Sequence, residues 1–135
     1  MLTDTGPLLA LLDQDDPHHA TYIMAIRRLP AEPLITTWPC FTEAMYLLGE
    51  AGGYGYQRAL WNLRATKKLI LLDLTTTEID RMAELMSKYH DVPMDLADAS
   101  LVAVVESRNF RTLFTLDSDF FIYRLRDGSA ITVFS

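Results

Sequence analysis

The amino-acid sequence predicts an α/β fold, a three-layer α/β/α sandwich around a central, mostly parallel sheet. Short apolar runs alternate with longer segments whose apolar residues recur at helical spacing. Strands that are separated by helical crossovers pair in parallel, with helices on both faces of the sheet. The chain has 135 residues, without a repeat, low-complexity tract or linker. Because this is the size of an ordinary domain, we expect residues 1–135 to form a single domain.

The first half of the chain predicts two strands and four helices. Pro7 and Pro39 each lie where a helix begins, because the first turn of a helix has N–H groups without partners and proline lacks that donor. Tyr22, Ala25 and Leu29 have helical spacing and support a helix between these two. The expected elements are strands at 1–3 and 34–36, and helices at 6–12, at 17–29, from 39 to the glycines at 49–53, and at 56–66.

The second half predicts three more strands, again separated by helices. Thr75 and Glu78 have the spacing of a capping box, in which each side chain bonds the other residue's backbone N–H at a helix start. The apolar stripe of this helix comprises Ile79, Met82, Ala83, Met86 and Tyr89. The other expected elements are strands at 69–72, 112–116 and 131–134, a helix at 95–107 and a short helical turn after residue 117.

Acidic residues lie where several of these strands end or helices begin. They are Asp4 after the first strand, Glu43 near the start of the helix that follows Pro39, Asp95 and Asp98 in the first turn of their helix, and Asp117 and Asp119 after the fourth strand. In parallel α/β sheets, active sites lie outside the carboxyl ends of the strands. We therefore expect most of these carboxylates to meet at one rim of the sheet.

Each of these acids also has a simpler explanation when it is taken alone. Aspartate is a common N-cap, Asp95 and Asp98 have the spacing of a capping pair, and Glu43 could be a solvated charge opposite an apolar stripe. As a group, however, close carboxylates repel one another unless a cation compensates their charge. Oxygen ligands without Cys or His neighbours suit Mg²⁺ or Mn²⁺ rather than zinc.

The composition excludes several classes of protein. A hydrophobic fraction of 50% and a charged fraction of 22% are those of a folded domain and exclude a disordered chain. A formal net charge of −6 argues against a protein held on nucleic acid by a broad basic face. Cys40 is the single cysteine, and the N-terminal segment lacks a positively charged leader. We therefore expect a cytoplasmic protein without an intramolecular disulfide.

Two other enzyme folds also group acids at strand ends. A phosphorelay receiver domain needs an acidic pair near the end of the first strand and a lysine after a late strand, whereas Asp4 stands alone and the late strand leads to Asp117. A haloacid-dehalogenase-type phosphatase needs a second aspartate two residues after the first, where this chain has Gly6. The pattern therefore disfavours both.

Four motifs in order carry a resemblance to a known family. They are LTDTGPLLALLD at 2–13, TEAMYLL at 42–48, PMDLADASLVAVVE at 93–106 and TLDSDF at 115–120. With these motifs the chain resembles the PIN-domain ribonucleases and, within them, the VapC-type toxins of toxin–antitoxin pairs. The resemblance implies a PIN-like fold and a metal-dependent endoribonuclease that acts on RNA. It also implies a small antitoxin partner and a homodimer, for which the aromatic side chains around 46–63 are a candidate surface.

The resemblance further implies roles for individual residues. The acidic quartet of the family corresponds to Asp4, Glu43, Asp98 and Asp117. These four would be catalytic and would hold Mg²⁺ or Mn²⁺, with Asp119 as a frequent additional ligand. Thr115 matches a hydroxyl residue that often precedes the fourth acid by two positions. The alternative is a catalytically inactive PIN-like module that binds RNA or another protein.

Overall fold

The computed structural model describes residues 1–134, and these residues form five strands and six α-helices. The strands are β1 (Leu2–Thr3), β2 (Leu34–Thr37), β3 (Leu69–Leu72), β4 (Thr112–Phe114) and β5 (Thr132–Phe134). The helices are α1 (Thr5–Leu12), α2 (His19–Arg27), α3 (Trp38–Gly52), α4 (Tyr54–Ala65), α5 (Thr76–Lys88) and α6 (Leu96–Arg108). A short 3₁₀ helix at Ser118–Phe121 follows β4. Every predicted element is present, with ends that differ by a few residues.

The described strands form one parallel sheet in the order β3-β2-β1-β4-β5. The chain begins in the centre of this sheet, extends it to β3 at one edge, and then crosses back to add β4 and β5 on the other side of β1. Consequently the two neighbours β1 and β4 come from opposite ends of the sequence. The carboxyl ends of all these strands point to the same rim.

Helices cover both faces of the sheet, which confirms the three-layer prediction. One core cluster joins Leu113 of the sheet to Leu85 of α5 and Val102 of α6. The other joins Phe114, the next residue of β4, to helices α1–α4. Successive residues of a strand point to opposite faces, so the two clusters occupy opposite sides of the sheet.

Helix α6 is the most deeply buried helix of the described chain. Every residue from 97 to 105 is buried, as expected for a helix that is apolar on all sides and is packed on all sides. Asp98, in the first turn of this helix, is therefore also buried. Among residues 1–134, no helix combines the length and the apolar content needed to cross a membrane.

The predicted apolar stripe of α5 is wrong in part. Ile79 and Ala83 are exposed, and the inward face is instead formed by Glu78, Met82 and Leu85. The capping box is confirmed, because the Thr75 N–H donates to Glu78 and the Glu78 N–H donates to the Thr75 hydroxyl. The helix is rotated from the predicted orientation so that the capping carboxylate is buried.

Candidate active site

Three of the predicted acids, Asp4, Asp98 and Asp117, meet at the rim of the sheet. One carboxylate oxygen from each lies within 4.8 Å of the corresponding oxygens of the other two. Asp4 follows β1, Asp117 follows β4, and Asp98 lies in the first turn of α6. We refer to these three side chains as the carboxylate cluster. Asp4 and Asp98 are buried, whereas Asp117 is half-buried and gives the cluster access to solvent.

Asp4 is held by hydrogen bonds to both of its carboxylate oxygens. Its Oδ1 accepts from the Thr5 N–H at 2.7 Å, so Asp4 is the N-cap of α1 as the simpler explanation required. Its Oδ2 accepts from the Thr115 hydroxyl at 2.8 Å. The same hydroxyl accepts from the Asp117 N–H at 2.9 Å and therefore joins the ends of β1 and β4. Capping and membership of the cluster are thus compatible roles for Asp4.

Asp98 is placed by a cap on one side and a tyrosine on the other. Asp95 is the N-cap of α6, and its Oδ1 accepts from the Asp98 N–H at 2.8 Å. Asp98 itself does not act as a cap, because its Oδ2 accepts from the Tyr123 hydroxyl at 2.8 Å. Sequence reasoning missed Tyr123. The spacing of Phe120 and Tyr123 after the predicted helical turn is a signal that could have placed both side chains against the core.

Burial dominates the electrostatics of the cluster. Burial, together with the smaller effects of the charges of Asp95, Asp4 and Asp117, raises the pKa of Asp98 to about 8, against the opposing hydrogen bond from Tyr123. Burial likewise raises the pKa of Asp4 to about 6, against the hydrogen bonds from Thr115 and Thr5. The ion pairs within residues 1–134 lie elsewhere. None of these ion pairs includes Asp4, Asp98 or Asp117, so the cluster is a set of crowded carboxylates.

The donor set of the cluster fits a hard divalent cation. The three side chains offer carboxylate oxygens from a shared region, and oxygen ligands are those that Mg²⁺ and Mn²⁺ prefer. The rim is partly open, because Asp117 is only half-buried. The carboxylate cluster is therefore a candidate site for a divalent metal ion.

Glu43 and Asp119 lie near the cluster but outside the 4.8 Å group. Glu43 is half-buried on α3. Burial raises the pKa of Glu43, as do the charges of Asp95 and Asp4, whereas a hydrogen bond with Thr5 lowers it. Asp119 donates its N–H to Oδ1 of Asp117 at 2.9 Å. Burial raises the pKa of Asp119, and the charge of Asp117 adds to this effect. Both acids therefore respond to the charge of the cluster, and their role as ligands stays a prediction.

Comparison with known proteins supports the family resemblance. A family model described as PIN domain matches residues 1–125. Ribonuclease VapC26 of Mycobacterium tuberculosis is 30% identical over 117 residues, which are 87% of this chain and 86% of that protein.

Two solved structures share the fold at lower sequence identity. The crystal structure of VapC20 from Mycobacterium tuberculosis, described as a Sarcin-Ricin loop cleaving toxin, has a TM-score of 0.80 at 19% identity, covering 87% of this chain and 90% of that one. A toxin–antitoxin complex from Klebsiella pneumoniae has a TM-score of 0.65 at 18% identity, covering 88% of each chain. At these identities the likeness concerns the fold, and it matches the α/β architecture that the sequence predicts.

Proposed function

This chain belongs to the PIN-domain family, and on that premise we propose that it is a metal-dependent endoribonuclease, the toxin of a toxin–antitoxin pair, acting in the cytoplasm. The substrate class follows from the relative that is 30% identical, which is named a ribonuclease. The observation that carries the proposal is the carboxylate cluster, because it unites acids from three separate motifs at the rim where parallel α/β sheets hold their active sites.

In this proposal Asp4, Asp98 and Asp117 hold Mg²⁺ or Mn²⁺, with Glu43 and Asp119 as further ligands, direct or through water. A divalent ion supplies two things for phosphodiester hydrolysis: it neutralises charge on the phosphoryl oxygens, and it lowers the pKa of a bound water. The Thr115 hydroxyl and the Thr5 N–H hold the Asp4 carboxylate in place while substrate binds.

The protein also needs a group that accepts the proton of the attacking water. Glu43 suits this role, because it lies beside the cluster, is partly open to solvent and has a raised pKa. A carboxylate whose pKa is closer to neutrality is a better general base at neutral pH. Since water attacks the phosphorus and the bond to the 3′ oxygen breaks, the products carry 5′-phosphate and 3′-hydroxyl ends.

Cleavage of defined RNAs by the purified chain tests the proposal. We expect cleavage with Mg²⁺ or Mn²⁺, none with excess EDTA, and a loss of at least about a hundredfold in Asp98→Asn, as expected when a charged metal ligand is removed. Asp80→Asn is the matched control, because Asp80 is an exposed residue of α5. Full activity in EDTA, or in Asp98→Asn, would contradict the proposal. RNA binding without cleavage by the metal-loaded wild type would favour the inactive module.

We propose that a small antitoxin inhibits the enzyme by covering the carboxylate cluster. A similar fold occurs in the toxin–antitoxin complex from Klebsiella pneumoniae, and the negative charge of the cluster suits an Arg or Lys from a partner, since guanidinium groups match carboxylates bidentately. Such a side chain would compete with metal, so raising Mg²⁺ or Mn²⁺ should weaken the inhibition. Co-purification with the product of a neighbouring small gene, followed by metal titration, tests this. Inhibition that is indifferent to metal would exclude the mechanism.

We also propose that the protein forms a twofold dimer. Tyr46, Tyr54 and Trp61, on helices α3 and α4, are exposed large side chains, and twofold dimers are the commonest homo-oligomers. Light scattering at tens of micromolar should report twice the chain mass, and a monomeric mass would contradict the proposal. Tyr54→Ser, on this surface, should shift the protein towards monomer, whereas Ile122→Ser, at an exposed residue near the 3₁₀ helix, should not.

A further inference from the structure

Tyr123 lies in a loop, yet its side chain is one of the largest that are fully buried in the described chain. Its ring is packed edge-on against two other rings: Tyr89 at a centroid distance of 5.1 Å and Phe120 at 5.2 Å. Tyr89 ends helix α5, and its hydroxyl accepts from the Arg124 N–H at 2.9 Å. The loop is thereby attached to the end of α5 through both Tyr123 and Arg124, so the position of the Tyr123 hydroxyl is determined by the fold.

The partner of that hydroxyl is a member of the carboxylate cluster. The Tyr123 Oη donates to Oδ2 of Asp98 at 2.8 Å, in a buried part of the protein. A carboxylate has about four acceptor positions, so one donated hydrogen bond restricts its rotation and leaves the remaining positions for a cation. Asp4 has a similar arrangement, in which the Thr115 hydroxyl binds one oxygen. Each buried acid of the cluster is thus oriented by a hydroxyl from another segment.

We propose that Tyr123 is a positioning residue for the metal site, which acts by fixing the orientation of the Asp98 carboxylate towards the cluster. The inference rests on the proposed function, since it assigns Asp98 to metal binding. Partners that orient metal ligands typically change metal affinity or activity by about 10- to 100-fold when they are removed. If Tyr123 served only to fill the core, removing its hydroxyl and keeping its ring would leave the metal affinity unchanged.

Tyr123→Phe tests this, because it removes the hydroxyl and keeps the ring between Tyr89 and Phe120. We expect isothermal titration calorimetry on the full chain, without RNA, to show about tenfold weaker Mn²⁺ binding. The Mn²⁺ concentration for half-maximal RNA cleavage should rise by a similar factor, and saturating Mn²⁺ should restore most of the wild-type rate. Tyr46→Phe is the matched control: it also deletes a hydroxyl that donates to a carboxylate, that of Glu50 outside the carboxylate cluster, and its Mn²⁺ affinity should equal that of wild type.

A double-mutant cycle shows whether Tyr123 acts through Asp98. In the Asp98→Asn background, Tyr123→Phe should change Mn²⁺ affinity much less than it does in wild type. An equal change in both backgrounds, or an unchanged affinity in folded Tyr123→Phe, would overturn the proposal. Mn²⁺ binding that depends on Tyr123 in a chain that cleaves no RNA would support the positioning role and contradict the nuclease. A wild-type chain that binds no Mn²⁺ would overturn both.

Discussion

Replacing Asp98 by asparagine should make the metal-free protein more stable while it abolishes cleavage. Asp98 is 5% exposed, and burial raises its pKa from 3.8 to about 8. The folded protein therefore binds this proton more tightly than the unfolded chain does. By linkage, the stability of the metal-free wild type should decrease as the pH rises from about 4 to about 8. Asp4, with a pKa of about 6, acts in the same direction over the lower part of this range.

The size of the effect follows from the pKa shift. The pKa of Asp98 in the unfolded chain is 3.8, about three units below a measurement at pH 7. Each of these units corresponds to about 1.4 kcal/mol of unfolding free energy. That sets an upper figure of about 4 kcal/mol for the Asp98 carboxylate. Relaxation and water penetration reduce penalties of this kind, so we expect Asp98→Asn to gain about 2 to 4 kcal/mol at pH 7. For a chain of this size the gain corresponds to a melting temperature roughly 10 °C higher.

The assay is urea denaturation in EDTA at pH 5, 6, 7 and 8, for wild type, Asp98→Asn and the surface control Asp80→Asn. The side-chain amide that Asp98→Asn introduces can still accept from the Tyr123 hydroxyl, so the packing is retained. We expect Asp98→Asn to show a much flatter dependence on pH, and Asp80→Asn to follow wild type. A variant that is no more stable than wild type at pH 7, or a wild type whose stability rises between pH 5 and pH 8, would refute the reasoning.

Millimolar Mg²⁺ or Mn²⁺ should raise the melting temperature of wild type more than that of Asp98→Asn, which binds the ion more weakly, because an ion that binds only the folded state stabilises it; equal shifts would locate the metal elsewhere. Tyr22→Phe should raise the stability to urea by up to about 1 kcal/mol, since the buried Tyr22 hydroxyl has no hydrogen-bond partner among the described residues; a loss of stability would contradict this. Glu78→Gln should lower the stability by about 2 to 3 kcal/mol, because buried Glu78 accepts hydrogen bonds from Arg108 and Ser107. Arg108 holds the pKa of Glu78 at about 2, so this contribution should be complete above about pH 4.5 and be lost as the pH falls through 2; a pH-independent loss would argue for packing alone.

The order of strands and helices could be predicted because it depends on local signals. Prolines in first turns, the capping box at Thr75 and the alternation of apolar runs each act within a few residues. These signals led to all of the strands in the described chain. The orientation of α5 could not be predicted in this way. It depends on Arg108, which lies 30 residues from Glu78 in the sequence and turns the capping carboxylate inwards.

Part of the candidate site could be predicted by the same kind of reasoning. Asp4 and Asp117 meet because parallel strands end at one rim, a rule that needs only the strand assignments. Asp98 could not be placed from its own segment, because the sequence there does not show which of the two acids caps the helix and which is buried in the cluster. In the structure, Asp95 is the cap. For Tyr123 the local spacing could indicate burial but not its role, because that role depends on a contact with a helix 25 residues earlier.

The central position of β1 also determines when the carboxylate cluster can assemble during synthesis of the protein. Within the described domain the first strand is made before every other element, yet its neighbour β4 and the acid that follows it are made after β2, β3 and all six α-helices. The hydrogen bond between Thr115 and Asp4 spans 111 residues, so no shorter nascent chain can assemble the cluster. If the cluster is the catalytic site, as proposed, a ribosome that translates this message should not be exposed to an active nuclease until nearly the whole domain has emerged. Premature termination anywhere before β4 should then yield an inactive product.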